Sequence, residues 1–360
     1  MSALFHPLRV RSVQPDTAEA VIVTFEVPPE LRPVFGFTQG QYLTLRKEIA
    51  GQDLRRSYSI CAGVDEGELR VGVRKVKDGV FSNWINAQLR PGDTLEVMAP
   101  QGRFFVPIEP RAARHHVGIA GGSGITPILS IMKTVLHREP RSRFTLVYGN
   151  RSLKSTMFKE ELEDLKDRYL TRVALHHVFS DEPTDAPINM GLVDRAKVAE
   201  FLRALVPAED IAHAYICGPF QMNEEAEAAL LAAGVPEERI HIERFGIAQQ
   251  AGQVGAVVHE ARPEDAERAR VVIIRDGFRR DVVFTRDQPS ILDAARSAGL
   301  EVPFSCTSGV CGTCRARLLE GQVRMERNFA LDKKDVEAGF VLTCQAHPTT
   351  ERVVLSFDER

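Results

Sequence analysis

Short runs of alternating apolar and polar residues fill the first 110 positions of the chain. Gly and Pro separate the runs, in segments such as PPELRP and LRPGD. A period of two is typical of half-buried strands, and short strands between turn residues favour a barrel or sandwich. The pattern predicts a small antiparallel β-barrel over residues 1–110. Its strands are expected at AVIVTFEV, QYLTLR, SYSICAGV, LRVGVRKV and DTLEVMAP.

From residue 111 to 246 the pattern changes to apolar strands that alternate with amphipathic helices. After the apolar run HHVGIA, four residues recur on one helical face: Ile128, Ile131, Met132 and Val135. Further strands are predicted at FTLVYG, VALHHVFS, AYICGP and HIERFG, with helices between them. Regular alternation of strand and helix predicts a doubly wound α/β domain built on a parallel sheet.

The C-terminal part of the chain predicts a third domain. Residues 247–268 lack periodicity and are expected to form a linker. The domain, over residues 269–360, opens with RVVIIRDG and RRDVVFT, which together predict a hairpin. The next segment, SILDAARSAG, predicts a helix with Ser290 at its N-cap.

Charge and hydropathy exclude some classes of function. The chain of 360 residues has 46 basic and 49 acidic side chains, for a net charge of -3. This balance does not favour nucleic acid or an anionic membrane as a partner. No window approaches the roughly 20 apolar residues of a membrane span. The start, MSALFHPLRVRSV, lacks the apolar core of a signal peptide. We therefore expect a cytoplasmic protein.

Four of the six cysteines lie near the C-terminus with a distinctive spacing. The first three follow the pattern C-x4-C-x2-C, which is that of plant-type 2Fe–2S ligands. Gly309 and Gly312 would let the loop backbone approach cluster sulfurs closely. A four-cysteine zinc site is the alternative, but such sites usually pair C-x2-C motifs. The expected iron ligands are Cys306, Cys311, Cys314 and Cys344.

Two short motifs in the barrel region, RSYS and GVFS, indicate a flavin site. Either motif alone would also suit an ordinary surface strand. Together, ahead of a nucleotide-binding domain, they resemble the ferredoxin–NADP reductase family. The resemblance implies that Tyr58 stacks on the isoalloxazine and that Ser59 donates a hydrogen bond near N5. It also implies that Arg56, Gly79 and Ser82 hold the phosphates. FAD is expected rather than FMN.

The motif GGSGITP, residues 121–127, follows a strand and opens a helix. Glycines at this point let the backbone approach a pyrophosphate at the helix N-terminus. Pro127 replaces the third glycine of the general dinucleotide fingerprint, and this departure is the reductase family's own pattern. Gly122, Gly124 and Thr126 are therefore expected to bind the nicotinamide nucleotide.

Two further segments of the α/β domain resemble parts of the family's hydride-transfer site. Cys217, Gly218 and Pro219 form a turn that lies against the nicotinamide in the family. The segment with Glu243 and Phe245 resembles the one beside the flavin. Cys217 would also suit a buried core, and Glu243 an exposed strand end. The resemblance implies a catalytic group made of Ser59, Cys217 and Glu243.

The choice between NADPH and NADH depends on the ends of the second and third strands of the α/β domain. Arg151 and Lys154 could contact a 2′-phosphate, and the family often places a phosphate-binding serine at the position of Ser180. At the next position the family often has a basic residue, but this chain has Asp181, whose negative charge disfavours binding of a phosphate. NADPH is expected, with NADH as the alternative.

The resemblance extends from residue 1 to about residue 357. PFSCTSGVCGTC and LTCQAHP are typical of plant-type ferredoxins and imply an α+β domain of β-grasp type. Segments such as FTQGQYLTLR and SRFTLVYGNRS resemble a branch that serves a diiron oxygenase acting on phenylacetyl-CoA in phenylacetate catabolism. The expected function is electron transfer from NADPH, through FAD and a 2Fe–2S cluster, to that oxygenase.

Other functions fit parts of the same pattern. The reductase could serve a Rieske-type oxygenase, a desaturase or a hybrid-cluster protein. A non-enzymatic redox sensor or a zinc-stabilised binding module is an alternative from another class, but it leaves the flavin and nucleotide motifs unexplained. The histidine pairs at 115–116 and 176–177 have no metal-ligand spacing and are expected to be structural or exposed.

Overall fold

The computed structural model describes residues 4–246 and 259–359. The chain divides into two compact units. The larger unit contains Pro7–Leu54 and Tyr58–Phe245. The C-terminal unit contains Gly246–Arg360 with two short segments, Met1–His6 and Arg55–Ser57.

The N-terminal part of the chain forms a six-stranded antiparallel sheet in the order β4-β3-β6-β1-β2-β5. An isolated bridge between Ile60 and Val71 joins the two edges and closes the sheet into the predicted barrel. Buried apolar side chains, most of them aliphatic, fill its interior. The strands are β1 (Phe5–Thr17), β2 (Ala20–Glu26), β3 (Tyr42–Ile49), β4 (Gln52–Ser59), β5 (Leu69–Arg74) and β6 (Thr94–Met98). Two helices accompany them, α1 (Arg32–Phe35) and α2 (Val80–Gln88).

A five-stranded sheet, parallel throughout, follows the barrel in the order β11-β10-β7-β8-β9. Its strands are β7 (His115–Gly121), β8 (Arg143–Asn150), β9 (Val173–Phe179), β10 (Ile211–Gly218) and β11 (Ile240–Arg244). From β7 the chain builds β8 and β9 to one side and later adds β10 and β11 to the other. The sheet therefore has a topological switch point between β7 and β10, as the predicted doubly wound fold requires.

Helices cover both faces of this sheet. Alternating strand residues point to two separate cores: Leu146 and Tyr215 to the first, and Val147 and Ile216 to the second. Helices α3 and α4 pack in the first core, and α5 and α6 in the second. In the described part of the chain, no helix has the length and apolar character needed to cross a membrane. The four helices are α3 (Ile125–Arg138), α4 (Lys159–Arg168), α5 (Arg195–Ala204) and α6 (Phe220–Ala232).

The C-terminal unit is the predicted α+β domain. A mixed sheet has the order β13-β12-β18-β14-β16, and β15 pairs separately with β17. The predicted hairpin is present as β12 and β13, and Ser290 caps α7 by accepting a hydrogen bond from the Asp293 N–H. The elements are β12 (Arg268–Arg275), β13 (Phe278–Thr285), α7 (Ile291–Ser297), β14 (Arg315–Glu320), β15 (Val323–Met325), α8 (Lys333–Glu337), β16 (Phe340–Leu342), β17 (Ala346–Pro348) and β18 (Arg352–Ser356).

The expected linker at 247–268 lies partly outside the described residues. Its described part, from 259 onward, packs within the C-terminal unit. Asp265 is 1% exposed, and the Ala266 N–H donates to the Pro348 carbonyl at 2.8 Å. Strand β12 then begins at Arg268. The sequence shows no periodicity here because this segment forms neither a helix nor a strand. Its buried residue is the charged Asp265, so the segment has no regular series of buried apolar side chains.

Candidate functional site

The three residues expected around hydride transfer meet at one edge of the larger unit. Ser59 ends β4, and its hydroxyl donates to Glu243 Oε2 at 3.0 Å. Glu243 lies on β11 directly beside Cys217 of β10. Ser59 is 3% exposed, and Cys217 is fully buried. A barrel strand and two strands of the parallel sheet therefore bring these side chains together.

The electrostatics of this group favour uncharged side chains. Burial raises the pKa of Glu243 to about 8, although the hydrogen bond from Ser59 acts in the opposite direction. At neutral pH the carboxyl is therefore mostly protonated. Burial also raises the pKa of the Cys217 thiol, and the nearby Glu243 adds to that effect. Cys217 is thus a packing thiol and not a thiolate nucleophile.

An aromatic cluster holds the ring of Tyr58, the residue expected to stack on the flavin. Its ring centroid lies 6.2 Å from that of Phe81, with an angle of 37° between the planes. Phe81 is 2% exposed and makes an edge contact with Trp84. The first turn of α2 therefore supports Tyr58, which is itself only partly buried. Phe81 lies inside the GVFS motif but was not among the predicted site residues, because its contact with Tyr58 depends on packing.

The N-terminus of α2 offers backbone donors for a phosphate. Among the described residues no side chain caps this helix, so its first N–H groups are available to an anion. The Ser82 hydroxyl accepts from the Val76 N–H at 3.2 Å and donates to the Gly79 carbonyl at 3.4 Å. A Cβ on Gly79 would lie 2.8 Å from Ser82 Oγ. Ser82 and Gly79 therefore shape the turn, and the backbone supplies the donors.

Arg56, the expected cationic partner of the flavin phosphates, has an exposed side chain. Its guanidinium donates to the carbonyl of Arg55 at 2.7 Å. An exposed guanidinium keeps its charge and can turn toward an anion at small cost.

The GGSG turn brings the start of α3 against the end of β10. Gly122 has a φ of +52°, a backbone conformation that favours glycine. A Cβ on Gly124 would overlap the carbonyl oxygen of Cys217, so only glycine fits without displacement. Thr126 donates from its hydroxyl to the Ser123 carbonyl at 3.0 Å and so holds the turn.

A second helix N-terminus lies beside the first, at the switch point of the sheet. Pro219 is the N-cap of α6, and within the part of the chain that the structure describes neither α3 nor α6 has a side-chain cap. A Cβ on Gly121 would lie 2.7 Å from Pro219 Cδ, which shows how closely the two turns approach. A Cβ on Gly218 would overlap the side chain of Met222. Two helix N-termini at neighbouring strand ends suit a pyrophosphate.

Arg151 and Ser180, expected near the ribose, lie together beyond β8 and β9. The Asp181 N–H donates to the Arg151 carbonyl at 2.9 Å. Each side chain has an acidic partner: Arg151 pairs with Glu19 at 2.8 Å, and Ser180 donates to Asp181 at 2.6 Å. The negative charges of Glu19 and Asp181 oppose binding of a 2′-phosphate.

Two further residues frame the site. Phe245 follows β11 and is 47% exposed. Arg74, which no sequence motif singled out, pairs with Glu19 at 3.1 Å. A Cβ on Gly122 would lie 2.7 Å from Arg74 Nη1, so this guanidinium lies over the glycine turn. The sequence feature that could have indicated Arg74 is a basic residue at the end of the run LRVGVRK. Many surface strands also carry a basic residue at that position, so the feature is not specific.

The four clustered cysteines form two hydrogen-bonded pairs within the C-terminal unit. The Cys311 thiol lowers the pKa of Cys306 to about 5, chiefly through a hydrogen bond. Cys314 has a raised pKa, first because of its hydrogen bond with Cys344. Cys314 and Cys344 are each 2% exposed. Two pairs of thiols fit a two-iron cluster, in which each iron takes two cysteine ligands, better than a single zinc ion.

The loop around the first three cysteines turns its backbone toward the sulfurs. Gly309 and Gly312 have φ values of +80° and +70°. The Ser308 N–H donates to Cys306 Sγ at 3.4 Å. Gln345 Nε2 donates to Cys344 Sγ at 3.6 Å. N–H···S hydrogen bonds of this kind stabilise the negative charge of a cluster.

Comparisons with known proteins agree with this arrangement. Three family models match along the chain: an oxidoreductase FAD-binding domain at residues 8–106, an oxidoreductase NAD-binding domain at 119–228, and a 2Fe-2S iron-sulfur cluster binding domain at 273–349. The fold and its sites therefore define an oxidoreductase with FAD-, NAD- and 2Fe–2S-binding domains.

Several relatives match almost the whole chain. One subunit of the 1,2-phenylacetyl-CoA epoxidase of Escherichia coli K12 is 42% identical over 99% of this chain and 98% of its own. The ferredoxin reductase component of 3-ketosteroid-9-alpha-monooxygenase from Rhodococcus rhodochrous is 34% identical over 97% and 96%. Phthalate dioxygenase reductase matches 98% of both chains with a TM-score of 0.60 and 25% identity. The chain belongs to the ferredoxin–NADP reductase family, in the branch of oxygenase reductases that end in a 2Fe–2S domain.

Proposed function

We propose that this chain passes electrons from NADPH to the diiron oxygenase of a phenylacetyl-CoA epoxidase in phenylacetate catabolism. The observation that supports the proposal most strongly is the 42% identity with the E. coli epoxidase subunit over 99% of the chain. The match includes segments outside the cofactor motifs, which shared redox chemistry alone would not preserve. The lower identity to the steroid monooxygenase component, 34%, makes that function the second candidate.

The bound cofactors would supply the redox chemistry: flavin takes a hydride as an electron pair and releases single electrons, which a 2Fe–2S cluster accepts. Within the chain, Tyr58 would stack on the flavin ring and Ser59 would hydrogen-bond at its edge. Glu243 would hold its proton at neutral pH and keep negative charge away from the ring. Cys217 would set the wall against which the nicotinamide packs, and Phe245 would cover the flavin edge.

Phosphate binding would rest mainly on the uncapped helix N-termini. In the proposed assignment, Arg56 with the α2 turn at Gly79 and Ser82 binds the FAD phosphates. The turns at 122–126 and 218–219 bind the nicotinamide nucleotide through Gly122, Gly124, Thr126, Gly218 and Pro219. Arg151 and Ser180 would contact the 2′-phosphate of NADPH, against the opposing charges of Glu19 and Asp181.

The proposed domain limits follow the chemistry. Residues 1–110 form the flavin domain, 111–246 the nucleotide domain and 269–360 the ferredoxin domain, which holds the cluster through its four cysteines. Residues 247–268 connect the last two, and their described part packs with the ferredoxin domain.

Reconstitution with candidate oxygenases tests the proposal. NADPH oxidation would be followed with purified diiron oxygenase, with and without phenylacetyl-CoA, and the products analysed for the ring epoxide. We expect oxidation to rise with substrate and to yield an epoxide-derived product. A matched reaction would contain a ketosteroid monooxygenase and its steroid. If NADPH reduced the protein but the diiron oxygenase made no product, the epoxidase assignment would fall while the reductase chemistry stood.

A further inference from the structure

Three side chains with metal-binding atoms meet in the C-terminal unit, apart from the four cysteines. They are His259, Glu326 and His347, and their donor atoms all lie within 4.8 Å of one another. His259 Nδ1 lies 3.0 Å from Glu326 Oε2, and His347 Nε2 lies 3.4 Å from Glu326 Oε1. None of the residues proposed to bind the flavin, the nucleotide or the 2Fe–2S cluster is among these three, although His347 lies in the segment LTCQAHP with Cys344, and 67 positions separate Glu326 from His259.

Three buried ring nitrogens of the two histidines have no hydrogen-bond partner among the described residues. His347 is 2% exposed, and among the described residues neither of its ring nitrogens has a partner with hydrogen-bond geometry. The same holds for His259 Nδ1, whose side chain is 13% exposed. Buried polar atoms without partners are costly, and a bound ion is one of the usual reasons for them.

The distances suit a shared ion. Zinc binds imidazole nitrogen and carboxylate oxygen at about 2.0–2.2 Å, which places neighbouring donors about 2.8–3.6 Å apart in tetrahedral or octahedral geometry. The separation of His259 Nδ1 from Glu326 Oε2 and that of His347 Nε2 from Glu326 Oε1 both fall in that range, so each histidine adjoins one oxygen of the carboxylate. Two histidines and one glutamate form a donor set that zinc uses in proteins, with a fourth position left for water.

The surroundings leave the cluster with a net negative charge. Two carboxylates, of Asp265 and Glu326, lie beside one guanidinium, of Arg324. Arg324 donates to both oxygens of Asp265 at 2.9 and 2.7 Å, and its Nη1 lies 3.8 Å from Glu326 Oε1. One negative charge is therefore left for a dication to balance. The Glu260 N–H donates to Glu326 Oε1 at 2.8 Å and orients the carboxylate, as second-layer contacts do around metal ligands.

The backbone presents the three ligands from separate segments. Glu326 follows β15, and His347 lies on β17, which pairs with β15. His259 lies in the irregular segment before β12. We propose that His259, Glu326 and His347 bind one divalent transition-metal ion of the zinc class. The ion ties the segment that begins at His259 to the β15–β17 pair, in which His347 lies three residues after Cys344.

Zinc binding to the intact holoprotein tests the proposal. Calorimetric titration with Zn²⁺, after exchange into metal-free buffer, should show one zinc per chain, with the iron content and the visible spectrum of the cluster unchanged. His259→Gln and Glu326→Gln should each weaken zinc binding at least about tenfold. His137→Gln changes an exposed histidine on α3 and should bind as the wild type does. Absence of zinc binding, or equal affinity in all variants, would overturn the site.

Zinc K-edge absorption distinguishes this site from the cysteines. The expected first shell contains nitrogen and oxygen at about 2.0–2.1 Å. A sulfur shell at about 2.3 Å would place the zinc at the cysteines and refute the proposal. If the His259→Gln protein proved unstable, the spectrum of the wild type alone would still decide between these outcomes.

Discussion

The Ser59 hydroxyl and the Glu243 carboxyl, 184 positions apart in the chain, are joined by a 3.0 Å hydrogen bond. It links the last residue of a barrel strand to the edge strand of the parallel sheet. The contact places a protonated carboxyl where the flavin edge and the nicotinamide are proposed to meet. The protonation state of Glu243 can be tested through the pH dependence of flavin reduction.

Glu243→Gln should remove a pH dependence from flavin reduction. With a pKa of about 8, Glu243 loses its proton as the pH rises through that value. The new buried charge disfavours a reduced, electron-rich ring, so wild-type reduction by NADPH should slow above about pH 8. Glutamine stays neutral, and its profile should be flat. Stopped-flow flavin reduction measures this, and identical profiles for the two proteins would contradict the assignment.

Ser59→Ala provides a second test of the same contact. The hydrogen bond from Ser59 lowers the pKa of Glu243, so its removal should move the midpoint of the profile to higher pH. A midpoint that moved to lower pH would show that another group titrates.

Gly124→Ala should weaken nucleotide binding and destabilise the fold. The added methyl overlaps the Cys217 carbonyl oxygen, so α3 must move away from β10. We expect a loss of about 1–3 kcal/mol in unfolding free energy and a higher KM for NADPH. Gly36→Ala is the control, because a Cβ there meets only ordinary contacts at 3.8 Å and beyond. Equal stability and equal KM in the two variants would refute the close approach.

Glu19→Gln should raise the preference for NADPH over NADH. The substitution removes the charge that pairs with both Arg151 and Arg74 and leaves their guanidinium groups available to a 2′-phosphate. We expect the ratio of kcat/KM values to rise by about three- to tenfold. Glu26→Gln, in the exposed pair with Arg9, is the control. An unchanged ratio would show that Arg151 and Arg74 do not bind the 2′-phosphate.

Acid should destabilise the nucleotide domain between about pH 6.5 and 4. Burial lowers the pKa of His115, His213 and His241 to about 4. Between these two pH values the unfolded chain binds protons that the folded chain does not. The unfolding free energy therefore decreases as the pH is lowered. We expect about 1 kcal/mol for each histidine at the acid end. Denaturant titrations across this range measure it, and stability that rose on acidification would contradict the sign.

Cys311→Ser should separate the two halves of the redox chemistry. NADPH-dependent ferricyanide reduction needs only the flavin and should stay largely intact, whereas electron delivery to cytochrome c or to the oxygenase should be lost. Equal loss of both activities would refute the assignment of the cysteines to a separate ferredoxin domain.

Local features of the chain could be predicted because they depend on residues that are close in sequence. The strand and helix periods predicted the barrel and the parallel sheet. The spacing of Cys306, Cys311 and Cys314 predicted a 2Fe–2S domain, which the family model matches at 273–349, and Ser290 marked the start of α7. Each of these features depends on backbone geometry over a few residues, which the sequence specifies directly.

Tertiary structure alone decided how distant groups combine. Strand register and the packing of separate elements decide which residue Ser59 bonds to and which charges surround Arg151. They also decide that His259 meets Glu326 and His347. Burial, which sets the pKa of Glu243, also arises only when those elements come together. By itself the sequence determined the fold, the cofactor motifs and the family. The folded chain determined which side chains share a site and in what protonation state.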